Sequence, residues 1–446
     1  MIGWRDAECP LPTSSVVIEI LRFRPPSHRI LISISSNSNL PNATNAINAM
    51  NTTHAMNDHP LIWAEVDLDA IARNVRELRR CTDPTAKVMA VVKADGYGHG
   101  AVEVARTALA NGAEWLGVAR LPEAIPLREA GFGVPILVFG YTPPAEADRL
   151  IDYDLRQSVY LPTAARAYSA AAVARGRRIR VHVKVDTGMG RLGMVPAALS
   201  GKTPGHAVGE DFIREATAIA RLPGLDAEGI FTHFAASDSA DTTYARQQLA
   251  LFLDVLSALR AAGLEFAVRH AANSAAVIAL PESHLDLVRP GIALYGLRPS
   301  GEVDLTGISL QPAMALKARI IHLKSVPAGA CISYGMTYRT PAPTLIATIP
   351  IGYADGYRRL FSSRGEMLVG GRRVPVVGRV CMDLTMLDVG AVPGVQVEDE
   401  VVIFGTQGEA SMSADDLARA LNTINYEIVC DLTARVPRVY QSNQSS

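Results

Sequence analysis

Between Trp63 and Arg298 the chain alternates eight times between a short apolar run and a longer, alanine-rich amphipathic stretch. The runs are Val88–Val92, Trp115–Ala119, Pro135–Phe139, Arg156–Tyr160, Ile179–Val185, Glu228–His233, Phe266–His270 and Asp286–Arg289. Such lengths suit buried strands, whereas the intervening Ala101–Ala110, Ala164–Arg175, Phe212–Arg221 and Tyr244–Ala262 suit helices. Strands that alternate with helices pair in parallel, because each crossover returns the chain to the same end of the sheet. Eight such units over about 240 residues predict an α/β fold, a (β/α)8 TIM-type barrel. An open doubly wound sheet fits the same alternation.

Past Arg298 the texture changes. Short β-branched runs (Ala315–Leu323, Leu345–Pro350, Met367–Val369, Val374–Val380, Thr385–Val389, Glu400–Phe404) are separated by Gly370-Gly371 and Pro393-Gly394. Residues 301–446 are therefore expected to form a mainly-β domain with a helix at Ala414–Leu421, after a barrel over 59–300. The early strand Ile62–Val66 is a candidate to pair with that second domain, and Asp67 or Asp69 to cap the first barrel helix. Residues 1–58 differ again: from Ser33 to Asn57, Ser, Asn, Thr and Ala dominate, too little apolar surface to offset the cost of ordering them. They read as a disordered extension, with translation beginning at Met50 or Met56. Val16-Val17-Ile18 is broken by Glu19 and Arg22, so a secretory h-region is missing.

Composition removes several functions. Lys plus Arg number 43 against 44 for Asp plus Glu, so no global field favours nucleic acid or an anionic membrane. No apolar run approaches the roughly 18–20 residues that span a bilayer. The five cysteines are scattered and never spaced C-x-x-C, which argues against a disulfide scaffold or a structural zinc site; no metal is expected. A reducing compartment, the cytoplasm, is expected.

The chemistry-bearing strings fall at strand ends, where a (β/α)8 barrel gathers its ligand groups. Val88–Val92 delivers Lys93 into Ala94-Asp95-Gly96-Tyr97-Gly98-His99-Gly100. A lysine at the mouth of a buried strand loses hydration, and its amine becomes nucleophilic near neutral pH. The glycines would let backbone approach a ligand. The fifth strand carries Lys184 and runs into a loop with Arg191; the sixth ends at His233; the seventh leads to Asn273-Ser274; the eighth leads to Arg289-Pro290-Gly291-Ile292. Each has a plain structural alternative: Asn273 as a helix cap, His233 as a core histidine, Arg289 as the partner of a carboxylate. Their joint arrival in the barrel's loop order favours a site. The β region adds Tyr334 in Ile332-Ser333-Tyr334-Gly335, Cys381-Met382-Asp383, and Asn425-Tyr426-Glu427. Cys381 reads as a structural thiol, since no histidine lies near it in sequence.

Taken in this order, the strings resemble the alanine racemase family over residues 61–440. The resemblance implies pyridoxal 5′-phosphate (PLP) as cofactor, in a fold-type III architecture. It implies that Lys93 carries the cofactor as a Schiff base and that Tyr97, Ser274, Gly291, Ile292 and Tyr426 hold the phosphate, with Asn273 beside them. Arg289 would face the pyridine nitrogen, while Arg191 and Met382 would meet the substrate carboxylate. Lys184 matches a lysine carbamylated in some members. Lys93 and Tyr334 would be the two bases, Tyr334 reaching the site from the partner subunit of a homodimer. An ordinary tyrosine ionises near roughly 10, so it needs help to act as a base; the family's counterpart of His233 bridges it to the arginine. The substrate implied is alanine, interconverted between enantiomers to supply D-alanine for peptidoglycan. Two alternatives share the cofactor: a racemase of broader specificity, and a PLP-dependent amino-acid decarboxylase of the same architecture. The decarboxylase family places an acid opposite the pyridine nitrogen, and Arg289 opposes that reading. A single-domain PLP-binding protein would lack residues 310–440 altogether.

Overall fold

The computed structural model describes residues 60–200 and 208–442; the extension 1–58 and most of the Gly- and Pro-containing segment 200–210 lie outside the described residues. The first strand, β1 (Ile62–Asp67), is followed by a helix over Leu68–Cys81. Asp67 starts that helix, its Oδ1 accepting from Ala70 N at 2.8 Å, and the helix buries Ile71, Val75 and Leu78.

Eight parallel strands then build the barrel: β2 (Lys87–Val91), β3 (Trp115–Val118), β4 (Ile136–Val138), β5 (Arg156–Val159), β6 (Ile179–Lys184), β7 (Leu225–Phe231), β8 (Val268–His270) and β9 (Leu287–Val288). Ladders join them in sequence order, and β9 pairs with β2. The remaining seam, between β8 and β9, carries two backbone bonds, Asp286 N to Arg269 O and Arg289 N to Ala272 O, both 3.0 Å. This decides against the open doubly wound sheet. The strands are short and β2, β3, β4 and β5 are buried almost throughout, as expected where helices cover one face and the barrel fills the other.

The C-terminal strands are β10 (Met314–Arg319), β11 (His322–Val326), β12 (Cys331–Ile332), β13 (Tyr338–Arg339), β14 (Thr344–Ile349), β15 (Glu366–Val369), β16 (Arg372–Pro375), β17 (Thr385–Asp388), β18 (Glu400–Gln407), β19 (Ala410–Met412) and β20 (Arg438–Gln441). One sheet runs β16-β15-β18-β10-β1-β20, with β19 on β18; a second is β11-β14-β17. β1 thus sits between β10 and β20, antiparallel to one and parallel to the other. The run Ala315–Leu323 is two strands rather than one. Ile320 N bonds to Asp399 O, on the side of β18, but Ile321 N bonds to Thr348 O of β14, so the chain changes sheets between those residues. Val374–Val380 also shortens, to β16 and a bridge from Val376 to Leu387.

Candidate active site

The lysine segment is not a simple strand end. β2 stops at Val91, and Ala94 (φ 51°), Asp95 (φ 52°), Gly96 (φ 61°) and Tyr97 (φ 51°) form one turn in the left-handed region. L-residues disfavour that conformation by roughly 1–2 kcal/mol each, so the turn has to be held from outside. Glu123 holds one end: its Oε1 accepts from Ala94 N at 3.1 Å and its Oε2 from Ala119 N at 2.7 Å. Asp95 holds the other, accepting from Ala101 N at 2.9 Å. The glycines that follow have a different reason from the one the sequence suggests. A β-carbon on Gly98 would overlap the Val429 carbonyl, and one on Gly100 the Tyr440 hydroxyl. Arg438 Nε donates to Gly98 O at 2.8 Å. The close approach is to the C-terminal elements, not to a ligand.

Lys93 faces a cavity of about 400 Å³ at the C-terminal ends of the strands. Burial pulls its amine below the usual lysine range, and the positive charge of Arg191 pulls further. Tyr97 lines the cavity beside it, with ring centroids 4.9 Å from Tyr295 and 6.1 Å from Tyr426. Asn273 caps a short helix through Ala276 N at 3.0 Å and accepts from Ser237 Oγ at 2.9 Å. Ser274 Oγ accepts from Gly291 N at 2.7 Å. Ile292 completes that wall.

Among the described residues, four basic side chains line the same cavity, Lys93, Lys184, Arg191 and Arg289, against one acid, Asp238. Arg289 is buried, yet its partners are two carbonyls (Thr232 at 2.8 Å, Ala271 at 2.9 Å) and two imidazoles (His270 Nδ1 at 2.8 Å, His233 Nδ1 at 3.4 Å). No carboxylate among the described residues pairs with it, which removes the structural alternative. Burial brings Arg289 down to about 9, still charged at neutral pH. Burial, with Arg289 and Arg191 nearby, brings Lys184 down to about 7. Its Nζ lies 4.4 Å from the Phe231 ring, which also stacks on the imidazole of His270 at 4.7 Å. His233 is held far below its ordinary range by burial and by Arg289. Arg191 rides on a loop shaped by Asp186, whose Oδ1 accepts from the N–H groups of Gly188, Met189 and Gly190.

Tyr334 and Met382 are not in this wall. They are 71% and 53% exposed on the β domain, Tyr334 between Ser333 (φ 65°) and Gly335 (φ 71°). Ser333 Oγ lies 3.5 Å from Cys381 Sγ, and Tyr353 N donates to Cys381 O at 3.1 Å, so Tyr334, Tyr353 and Met382 come from adjoining backbone. Sequence reasoning named no role for Phe139, Phe231, Asp238 or Pro299, all of which line the cavity. His270 and Phe231 lay inside strings already singled out; nothing in the sequence marked Asp238.

A buried, deprotonation-prone lysine after the first barrel strand, a seat formed after the last two and an excess of positive charge define a barrel enzyme that takes an anionic cofactor or substrate. Family models sharpen this: the alanine racemase N-terminal domain matches residues 66–299 and the alanine racemase C-terminal domain residues 313–440. Alanine racemase of Desulfosudis oleivorans is 56% identical over 391 residues, 88% of this chain and 99% of that protein. That of Methanococcus maripaludis is 47% identical over 385 residues, 86% of this chain and all of the other. Among solved structures, alanine racemase of Clostridium difficile superposes with a TM-score of 0.80 at 38% identity, covering 86% of this chain and 97% of that one. That of Bacillus anthracis with bound L-Ala-P gives 0.79 at 38%, covering 87% and 96%. The chain belongs to the alanine racemase family, a family of isomerases.

Proposed function

We propose that this protein is a PLP-dependent racemase that interconverts L- and D-alanine with two bases, Lys93 on one face and Tyr334 of the partner subunit on the other. The observation that carries the reading is the cavity itself. Lys93, Tyr97, Lys184, Arg191, His233, Asn273, Ser274, Arg289, Gly291, Ile292 and Tyr426 all line it, whereas Tyr334 is exposed elsewhere on the same chain.

The residues present fit the cofactor. A β-carbon on Gly291 would stand 2.5 Å from the Tyr97 hydroxyl, so that corner leaves room for nothing larger than backbone beside Tyr97 and Ser274. Tyr97, Ser274, Gly291, Ile292 and Tyr426, with Asn273 beside them, would hold the phosphate, and Lys93 would hold the aldehyde carbon. When bound, PLP supplies an electron sink that acidifies the substrate Cα–H. Arg289 would limit that sink, because a group that stays protonated beside the ring nitrogen would keep that nitrogen unprotonated. Arg191, with Met382 of the partner, would bind the substrate carboxylate. Racemisation requires a proton to leave one face of Cα and return on the other, so Lys93 and Tyr334 each hold one face. Lys93 suits this, because burial and Arg191 both favour its neutral form. Lys184, brought near 7, is the candidate for carbamylation. The assembly that provides Tyr334 is a homodimer, the exposed Tyr334, Met336, Tyr353 and Met382 supplying apolar surface for it. Cys81, Cys331, Cys381 and Cys430 are unpaired, consistent with work in the cytoplasm, where D-alanine would feed peptidoglycan.

The test is to incubate the purified protein with L-alanine, L-serine and other small amino acids. D-alanine should accumulate fastest, and borohydride should abolish a visible absorbance band together with the activity. Release of carbon dioxide without D-alanine would favour the decarboxylase.

A further inference from the structure

A line of hydrogen-bonded side chains runs through the barrel from Arg289, at the cavity, to the opposite mouth. Arg289 Nη1 lies 2.8 Å from His270 Nδ1, His270 Nε2 lies 2.8 Å from His182 Nδ1, and His182 Nε2 lies 3.3 Å from Glu228 Oε2. The same oxygen accepts from Arg156 Nε at 3.3 Å, and Arg156 in turn reaches Asp154, which is open to solvent. Arg289, His270 and His182 are all buried.

β7 is built around this line. Its ladder with β6 pairs Val181 with Ala227 and His182 with Gly229, so Glu228 is the extra residue of a bulge. Bulges re-aim side chains, and this one sets Glu228 against His182. A β-carbon on Gly229 would overlap the His182 ring, so glycine keeps the axis open there.

The chemistry of the two ends fixes the middle. A guanidinium only donates, so His270 Nδ1 must accept; a neutral imidazole then donates through Nε2, which makes His182 Nδ1 the acceptor. His182 Nε2–H is left to donate, and a carboxylate, which only accepts, receives it. Burial and the charge of Arg289 keep His270 neutral, and burial does the same for His182 despite Glu228. With the tautomers reversed, His270 Nδ1–H would point at the guanidinium N–H, donor against donor, and Arg289 would have to turn away.

We propose that Glu228 and His182 are positioning residues for racemisation: from the far end of the barrel they set the tautomer of His270, and through it the aim of Arg289. This rests on the reading of Arg289 as the group facing the cofactor's ring nitrogen. The test labels the full-length chain with ¹⁵N-histidine and reads the ring nitrogens of His182 and His270, with and without PLP. Both should be neutral Nε2–H tautomers. Glu228→Gln keeps an acceptor oxygen and should keep that pattern; Glu228→Met removes it and should give mixed tautomers. With Glu228→Met, kcat for alanine should fall on the order of tenfold while KM moves little, and Glu228→Gln should retain most of the rate. A wild-type His270 protonated on Nδ1, or Glu228→Met tautomers identical to wild type, overturns the proposal. Should Glu228→Met fail to fold, the wild-type spectrum still decides. A wild-type chain with no racemase activity would count against the function, not against the line, which the spectrum reports without turnover.

Discussion

The carbonyl of Val429 occupies the space that a β-carbon on Gly98 would need. The lysine loop is therefore clamped by β20 through the Arg438 and Tyr440 side chains, and at Gly98 by the backbone of the helix Asn425–Cys430. Neither partner can give way cheaply. Gly98→Ala should lower stability by about 2–4 kcal/mol, because it adds a backbone clash to a left-handed φ of 82°. Urea titration of the Gly98→Ala chain checks this; an unchanged midpoint would show that the helix can shift.

Lys184 gives a pH dependence with a definite sign. Its folded pKa is about 7 against a reference of 10.5. Between those values the unfolded chain binds the extra proton, so stability rises with pH across that window. Below about 7 both states are protonated and the penalty is fully present. Lys184→Met should therefore stabilise the chain by something on the order of 3–5 kcal/mol at pH 6, and by much less near pH 10. A stability gain that is flat with pH would contradict the titration. A pKa near 7 also leaves about half the amine neutral at neutral pH, the form that reacts with carbon dioxide. Bicarbonate should then raise the unfolding midpoint of the native chain but not that of Lys184→Met.

Arg289 is set against imidazoles and carbonyls instead of an acid, and on the proposed reading this would bear on reaction specificity. Replacing it by glutamate would strengthen the electron sink and invite reprotonation at the wrong carbon. Arg289→Glu should racemise alanine more slowly, by on the order of 10²-fold or more, while the fraction of turnovers ending in pyruvate rises. Pyruvate assayed against D-alanine gives the ratio directly; an unaltered ratio would remove this role from Arg289.

The barrel was legible because its strands are buried runs separated by amphipathic helices. All eight fall where the alternation puts them, with no end moved by more than three residues. The β domain was less so. Nothing in Ala315–Leu323 marks where the chain leaves one sheet for another, since Ile320 and Ile321 are equally apolar and only their backbone partners differ. The cavity residues were legible because they cluster at strand ends. The line from Arg289 to Glu228 was not: its members come from β6, β7, β8 and the residue just past β9, and what joins them is a bulge at Glu228, which no spacing announces. The left-handed turn at Ala94–Tyr97 escaped for a related reason. Ala and Tyr carry no local preference for that conformation, and contacts with Glu123 and the C-terminal elements hold it.

Tyr334 lies far from any role within its own chain: it is 71% exposed and outside the cavity wall that holds Lys93. If two subunits exchange this residue around a two-fold axis, each site takes its lysine from one chain and its tyrosine from the other. A heterodimer of Lys93→Ala with Tyr334→Phe then contains one site with neither group and one site with both. Random reassembly of equal amounts makes half the dimers mixed, so about a quarter of the wild-type sites should be restored. Each variant alone should show almost none. Denaturing the two together, refolding and assaying D-alanine formation gives the fraction. Recovery near zero, with mixed dimers shown by mass, would place the second base within one chain and leave the exposure of Tyr334 without a catalytic reason.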